Sequence, residues 1–248
     1  MTRTLLIRGM LVGLLAGVLA FVVARLLGEG PLVTGINFES ASESAGTGAG
    51  HEHVSRTVQS TFGLGTGTLV FGIALGGLYG LAYAFAQGRL GALSARATAA
   101  LVAAGGFLGI YLLPALKYPA NPPGTTNPDT ITDRTQWYFL MLLISVLVVA
   151  GGTVLARRLS ARFGAWNGTL LAMLGGLVVI VLAYLLLPVV DETPKDFAGD
   201  ELWRFRMAST AIQLTVWATF GAVFGALTER QLRSQGMQPQ AARQHAMG

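Results

Sequence analysis

Residues 168–190 read GTLLAMLGGLVVIVLAYLLLPVV, twenty-three positions without one charged side chain. An α-helix crosses the roughly 30 Å hydrocarbon core of a bilayer in about twenty residues, so this stretch predicts a transmembrane helix. Comparable stretches lie at about 4–27, 57–86, 97–116, 135–156 and 207–228. The expected fold is all-α: a polytopic membrane helix bundle of about six transmembrane helices over residues 1–230, with a polar tail at 231–248. Composition agrees. Of 248 residues, 52% are hydrophobic and 12% charged, about half the charge of soluble domains, and the mean hydropathy is +0.57. A soluble globular protein and a disordered one are both excluded. With no cysteine, disulfides, thiolate metal sites and iron–sulfur clusters are excluded too.

Lysine and arginine in the short connections orient the bundle. Arg3, Arg8, Arg89, Arg96, Arg157, Arg158, Arg162, Arg230, Arg233 and Arg243 fall on one side with the single acid Glu229, a balance of +9. The opposite side carries seven basic and eleven acidic residues, a balance of −4, and the two account for the net +5. The first side is expected in the cytoplasm, with both termini. The basic excess thus reports topology and calls for no nucleic acid. No charged residue or histidine falls near a span centre, which disfavours proton relays and intramembrane enzyme chemistry. No enzyme activity is expected.

The first span is expected to be retained and not cleaved as a signal. It is longer than a signal core, and Gly9, Gly13 and Gly17 form a small-xxx-small stripe suited to tight packing. Gly72, Gly76 and Gly80, and again Gly221 and Gly225, form similar faces, fit for a compact bundle or for a homo-oligomer interface. The spans also group into three hairpins. Their second helices start after Arg56, Arg134 and Arg204/Arg206. The first helices of the second and third hairpins carry Gly105-Gly106 and Gly175-Gly176 and end in Tyr111-Leu-Leu-Pro114 and Tyr184-Leu-Leu-Leu-Pro188. A threefold repeat is one reading; interfacial anchoring of helix ends by arginine is the other.

Eight of nine prolines lie on or beside the expected outer face. Pro114 and Pro188 are explained as span terminators. The cluster from Pro119 to Pro128 is not, and Leu116-Lys117-Tyr118-Pro119-Ala120-Asn121-Pro122-Pro123-Gly124 predicts a stiff, non-helical segment. Gly50-His51-Glu52-His53 holds two histidines at i and i+2. In an extended segment both imidazoles point the same way and suit one divalent cation, with Glu52 or water completing the shell; a solvated polar loop is the alternative. The spacing is not HExxH, which excludes a zincin protease. Ser40 to Gly50, small and polar, predicts a mobile arm for this capture site. A last outer segment, Leu187 to Arg206, carries five carboxylates, among them Asp191, Glu192 and Asp200. They would concentrate cations at an entrance, or simply pair with Lys195, Arg204 and Arg206. Trp137, Trp166, Trp203 and Trp217 read as belt or packing residues.

At these motifs the chain resembles the CbtA family, a probable cobalt transporter subunit. The resemblance rests on Gly50-His51-Glu52-His53 with Arg56 and Gln59, the glycine-rich second span, Lys117-Tyr118-Pro119-Ala120-Asn121-Pro122-Pro123, Asp129-Thr130-Ile131, Arg134-Thr135, and Leu202-Trp203-Arg204-Phe205-Arg206. It implies a membrane component of cobalt uptake working with a small single-span CbtB-like subunit. On this reading His51, His53 and Glu52 capture divalent cobalt, or nickel, as substrate, and no cofactor is held permanently. Lys117, Tyr118, Asn121, Asp129, Arg134, Asp191, Glu192, Asp200, Trp203 and Arg206 would form the outer vestibule. Membrane lipid is the other expected partner. The rival reading is a non-transporting scaffold or metal-sensing subunit, which binds at the outer face without flux.

Overall fold

The computed structural model describes residues 2–45, 55–126, 128–190 and 192–234. The described residues hold no strand, and six helices are long and apolar enough to cross a membrane: α1 (Thr2–Ala41), α2 (Gln59–Ala86), α3 (Ala95–Lys117), α4 (Ile131–Phe163), α5 (Ala165–Leu186) and α6 (Gly199–Ser234). The chain is a multi-pass membrane protein. Several helices outrun the hydropathy boundaries, because arginines such as Arg157, Arg158 and Arg162 favour helix beyond the hydrocarbon as well as within it.

The largest departure is in α1. Its span is expected to end near 27 and to lead into a mobile arm from Ser40, yet the chain stays helical through Pro31 to Ala45. Pro114 likewise fails to end α3, which runs on to Lys117. A proline lacks an N–H and its ring collides with the carbonyl four residues back. Both helices carry a π-helical turn just before the proline, Ala24–Gly28 in α1 and Phe107–Leu112 in α3. An i→i−5 turn shifts the local ladder, so the helix passes the proline without stopping. Pro188 does follow the end of its helix, as expected.

The contacts group into two compact units. The first comprises Met1–Leu26, Val54–Ala104 and Ala211–Gly248. Here α1 and α2 run antiparallel along a seam of glycines. A Cβ on Gly17 would lie 2.6 Å from the Thr68 carbonyl oxygen, and one on Gly80 would lie 2.6 Å from that of Leu5. At Gly9, Gly13, Gly72 and Gly76 it would run into backbone of the facing helix. The two stripes seen in the sequence are therefore each other's partners, and close backbone packing replaces the hydrophobic drive that lipid does not supply. Gly221 and Gly225 of α6 meet Ala103 and Ala99 of α3 in the same way. An aromatic cluster completes this unit: Tyr79 stacks on Phe220 at 4.8 Å, and Tyr83 and Trp217 meet Phe224 and Phe220 edge-on at 4.9 and 5.8 Å. The Tyr79 hydroxyl donates to the Ala99 carbonyl at 2.7 Å.

The second unit comprises Leu27–His53 and Gly105–Thr210. Its core is Tyr118, Met141, Ile180 and Ala183, with Trp137, Tyr138 and Tyr184 against it. The glycines matched in the repeat reading converge on one helix: a Cβ on Gly105 would lie 3.3 Å from Val149 and one on Gly176 3.2 Å from Val148, both on α4. Gly176, expected in the third hairpin, thus packs on a helix of the second. The outward faces of α4 and α5 expose large apolar side chains such as Phe139, Leu147, Leu177 and Leu182, as a lipid-facing surface requires.

Candidate functional site

The site is built around the proline-rich segment that follows α3. Leu116 and Lys117, expected in the stiff loop, are the last turn of the helix, and the chain leaves helical geometry at Tyr118. From there Pro119, Pro122 and Pro123 remove N–H donors and fix φ, so the segment cannot pair as a strand or wind as a helix. Its shape is held from outside. Pro122 and Thr125 are fully buried. The Thr125 hydroxyl donates to the Pro122 carbonyl at 2.7 Å. Gly124 has φ +73°, and a Cβ there would lie 2.9 Å from the backbone nitrogen of Glu39. A Cβ on Gly35 would similarly lie 2.8 Å from the Pro123 carbonyl oxygen. The unexpected helical extension beyond residue 28 is thus the wall on which the loop rests.

Polar side chains then satisfy the carbonyls that the prolines leave without ladder partners. Arg134 of α4 donates to the Pro119 carbonyl at 2.6 Å and to the Glu192 carboxylate at 2.9 Å. The Glu192 side chain is wholly shielded from solvent, and its other oxygen accepts from Thr130 at 2.6 Å. Arg206 of α6 donates to the Ala120 carbonyl at 3.3 Å and to the Asn121 side-chain oxygen at 2.9 Å. The Lys117 ammonium donates to the Tyr184 carbonyl at 2.8 Å, in the last turn of α5, where a cation complements the helix dipole. The Tyr118 hydroxyl donates to the Pro188 carbonyl at 2.8 Å, and burial pushes this phenol's pKa up, keeping the donor protonated. Tyr184 returns a bond to the Leu113 carbonyl at 2.6 Å, and Tyr111 and Thr210 join hydroxyls at 2.9 Å.

Of the residues singled out in the sequence, Lys117, Tyr118, Asn121, Arg134, Glu192 and Arg206 therefore form one connected network. Asp200 and Trp203 do not join it through any of these bonds and are exposed, Trp203 by 62%. Asp129 opens the short turn Pro128–Thr130 ahead of α4. His51, Glu52, His53 and Asp191 lie outside the described residues. Trp217 packs in the aromatic cluster, and Trp166 is exposed by 75%. Tyr111, Tyr184, Thr130 and Thr210 were missed by the sequence reading. The Tyr-Leu-Leu-Pro strings did mark two of them, yet as helix-end patterns.

Lys117, Arg134 and Arg206 each donate to oxygens of the loop or of a neighbouring helix end, and Glu192 is the carboxylate paired with Arg134. The Glu192 charge is taken up by Arg134, and the backbone carbonyls of Leu113, Pro119, Ala120, Pro122, Tyr184 and Pro188 accept bonds from protein side chains. Among the described residues no group of three or more His, Cys, Asp or Glu side chains is placed to hold a metal. The arrangement is a rigid, carbonyl-satisfied scaffold, and its chemistry is that of positioning.

Residues 2–229 match a family model described as Probable cobalt transporter subunit (CbtA). No curated protein and no solved structure matches the chain.

Proposed function

The chain belongs to the CbtA family, and from that premise we propose that it is the integral membrane subunit of a divalent cobalt uptake system that captures the cation at the outer face. As a membrane subunit of a probable cobalt transporter, it acts by transport and has cobalt as its probable substrate. The capture step is assigned to His51, Glu52 and His53, the sole histidine pair and the donor set that borderline divalent metals prefer. What supports this assignment is the contrast with the rest of the chain. The proline-loop network spends its buried Glu192 carboxylate on Arg134 and its loop carbonyls on protein donors, so these oxygens are already engaged. The network is a support: it fixes the ends of α3, α4, α5 and α6 around one loop.

The charge asymmetry supports an orientation with this loop and the histidine segment outside and both termini in the cytoplasm, and the family resemblance suggests a bacterial inner membrane. The word subunit in the family description implies a partner; a small single-span protein of the CbtB type is the one proposed. The chain has no P-loop string, so the driving force comes from the membrane potential, about 2.3 kcal/mol per charge per 100 mV, or from the partner. The rival reading is a scaffold that binds metal at the outer face without moving it.

Flux separates the two. Proteoliposomes containing the chain with the single-span partner, loaded with a cobalt-quenched fluorophore, are expected to quench on external cobalt when the interior is negative. Binding of cobalt to the same proteoliposomes without quenching would establish the scaffold instead.

A further inference from the structure

The residue ranges of the first unit contain a single carboxylate, Glu229. The antiparallel seam sets Leu5 against Gly80 and Gly9 against Gly76. It thereby brings the start of α1, the end of α2, the start of α3 and the end of α6 to one end of this unit. Arg3, Arg8, Arg89, Arg96, Arg230 and Arg233 gather there. Arg8 of α1 and the backbone of Arg96 at the start of α3 both meet residues 228–231 of α6. Arg8 donates to the Thr228 hydroxyl at 2.9 Å and to the Gln231 amide oxygen. The backbone N–H of Arg96 donates to Glu229 at 3.2 Å, and Arg233 pairs with the other oxygen of the same carboxylate at 2.8 Å. Glu229 is thereby consumed by Arg233 and by the N-terminus of α3, and Arg8 rests on neutral oxygens alone. Its guanidinium has five N–H donors, of which the two bonds engage only part. Tyr83, in the last turn of α2 at the same end of the unit, is fully buried, with a hydroxyl that has no hydrogen-bond partner among the described residues.

Beside the Arg8–Thr228 contact the surface is apolar and open: Ile7 and Leu11 on α1 and Leu227 on α6 are exposed by 45, 63 and 40%. Exposed apolar side chains beside the Arg8 guanidinium, which rests on neutral oxygens, match a molecule with an anionic head and a hydrocarbon tail. We propose that this end of the unit is a binding site for an anionic phospholipid, with Arg8 and Arg96 on the headgroup phosphate and the apolar row against the acyl chain. A free phosphate shares the head chemistry but has no use for the apolar row. Guanidinium suits the role, because its planar fork engages phosphate with two N–H groups, and basic pockets between transmembrane helices are a recurrent lipid site.

Native mass spectrometry of the purified full chain, titrated with phosphatidylglycerol or phosphatidylcholine, tests this. The chain is expected to retain phosphatidylglycerol at least tenfold more tightly. In Arg8→Gln/Arg96→Gln the affinity for phosphatidylglycerol should fall about thirtyfold, near the sum expected for two surface arginines. Arg158→Gln/Arg162→Gln, which removes the same charge from α4, should leave it unchanged. Should the glutamine pair fail to fold, Arg8→Lys/Arg96→Lys keeps the charge and should bind phosphatidylglycerol measurably less tightly than wild type while still preferring it to phosphatidylcholine. Equal retention of the two lipids, or equal loss in the α4 control, overturns the site. Displacement of phosphatidylglycerol by millimolar inorganic phosphate overturns the lipid assignment in favour of a free anion.

Discussion

The Glu192 carboxylate, entirely shielded from solvent, lies 2.9 Å from the Arg134 guanidinium. This pair joins the segment after α5 to the first turns of α4. Through its bond to the Pro119 carbonyl, Arg134 also holds the proline loop. Removing one member of such a buried pair strands the other charge, at about 3–5 kcal/mol. Arg134→Ala and Glu192→Ala are each expected to lower the thermal unfolding midpoint in detergent markedly. The double variant should lose much less than the two losses added. Strict additivity would show that the pair is not coupled.

The α1–α2 seam predicts a contrast within a single helix. A Cβ at Gly76 runs into the Gly9 carbonyl, whereas one at Gly67 has nothing within 4 Å. Gly76→Ala should therefore force the helices apart and cost about 1–3 kcal/mol, as overpacking does. Gly67→Ala should leave stability unchanged or raise it, since alanine is the better helix former. Unfolding midpoints of the two variants, measured side by side, decide this; equal effects would contradict the seam.

Gly124 is required twice, by its φ of +73° and by the Glu39 backbone 2.9 Å from any added Cβ. Gly124→Ala is expected to cost about 1–3 kcal/mol and to loosen the proline loop from the α1 extension. Faster proteolysis between residues 118 and 126 in the intact protein would register it. Wild-type cleavage rates would show that the loop is held by something else.

How far these contacts could be foreseen differs from residue to residue. The six spans were legible because lipid demands about twenty apolar residues of any helix that crosses it, a condition local to each stretch. The shape of Lys117 to Gly124 was legible for a similar reason, since proline acts on its own φ. What the loop rests on was not. Lys117, Tyr118, Arg134 and Arg206 all donate to backbone carbonyls, and a carbonyl is carried by every residue, so no side-chain pattern announces the acceptor. Pro114 misled for a different reason: a π-turn upstream absorbs a proline, and its sequence has no fixed signature. Glu192 read as one of five outer acids; its burial against Arg134 depends on a contact between positions 58 residues apart. The histidine pair was legible as a donor set, and its placement lies outside the described residues.

The central claim is that His51 and His53 capture cobalt for uptake, and cobalt accumulation in metal-starved cells tests it most directly. Elemental mass spectrometry would compare wild type, His51→Ala/His53→Ala and a vector control, each with the single-span partner and at matched amounts of protein in the membrane. The account predicts that cobalt accumulates with wild type and falls to the vector level in the double variant. Equal accumulation in wild type and double variant would contradict the capture role, and no accumulation in either would contradict uptake itself.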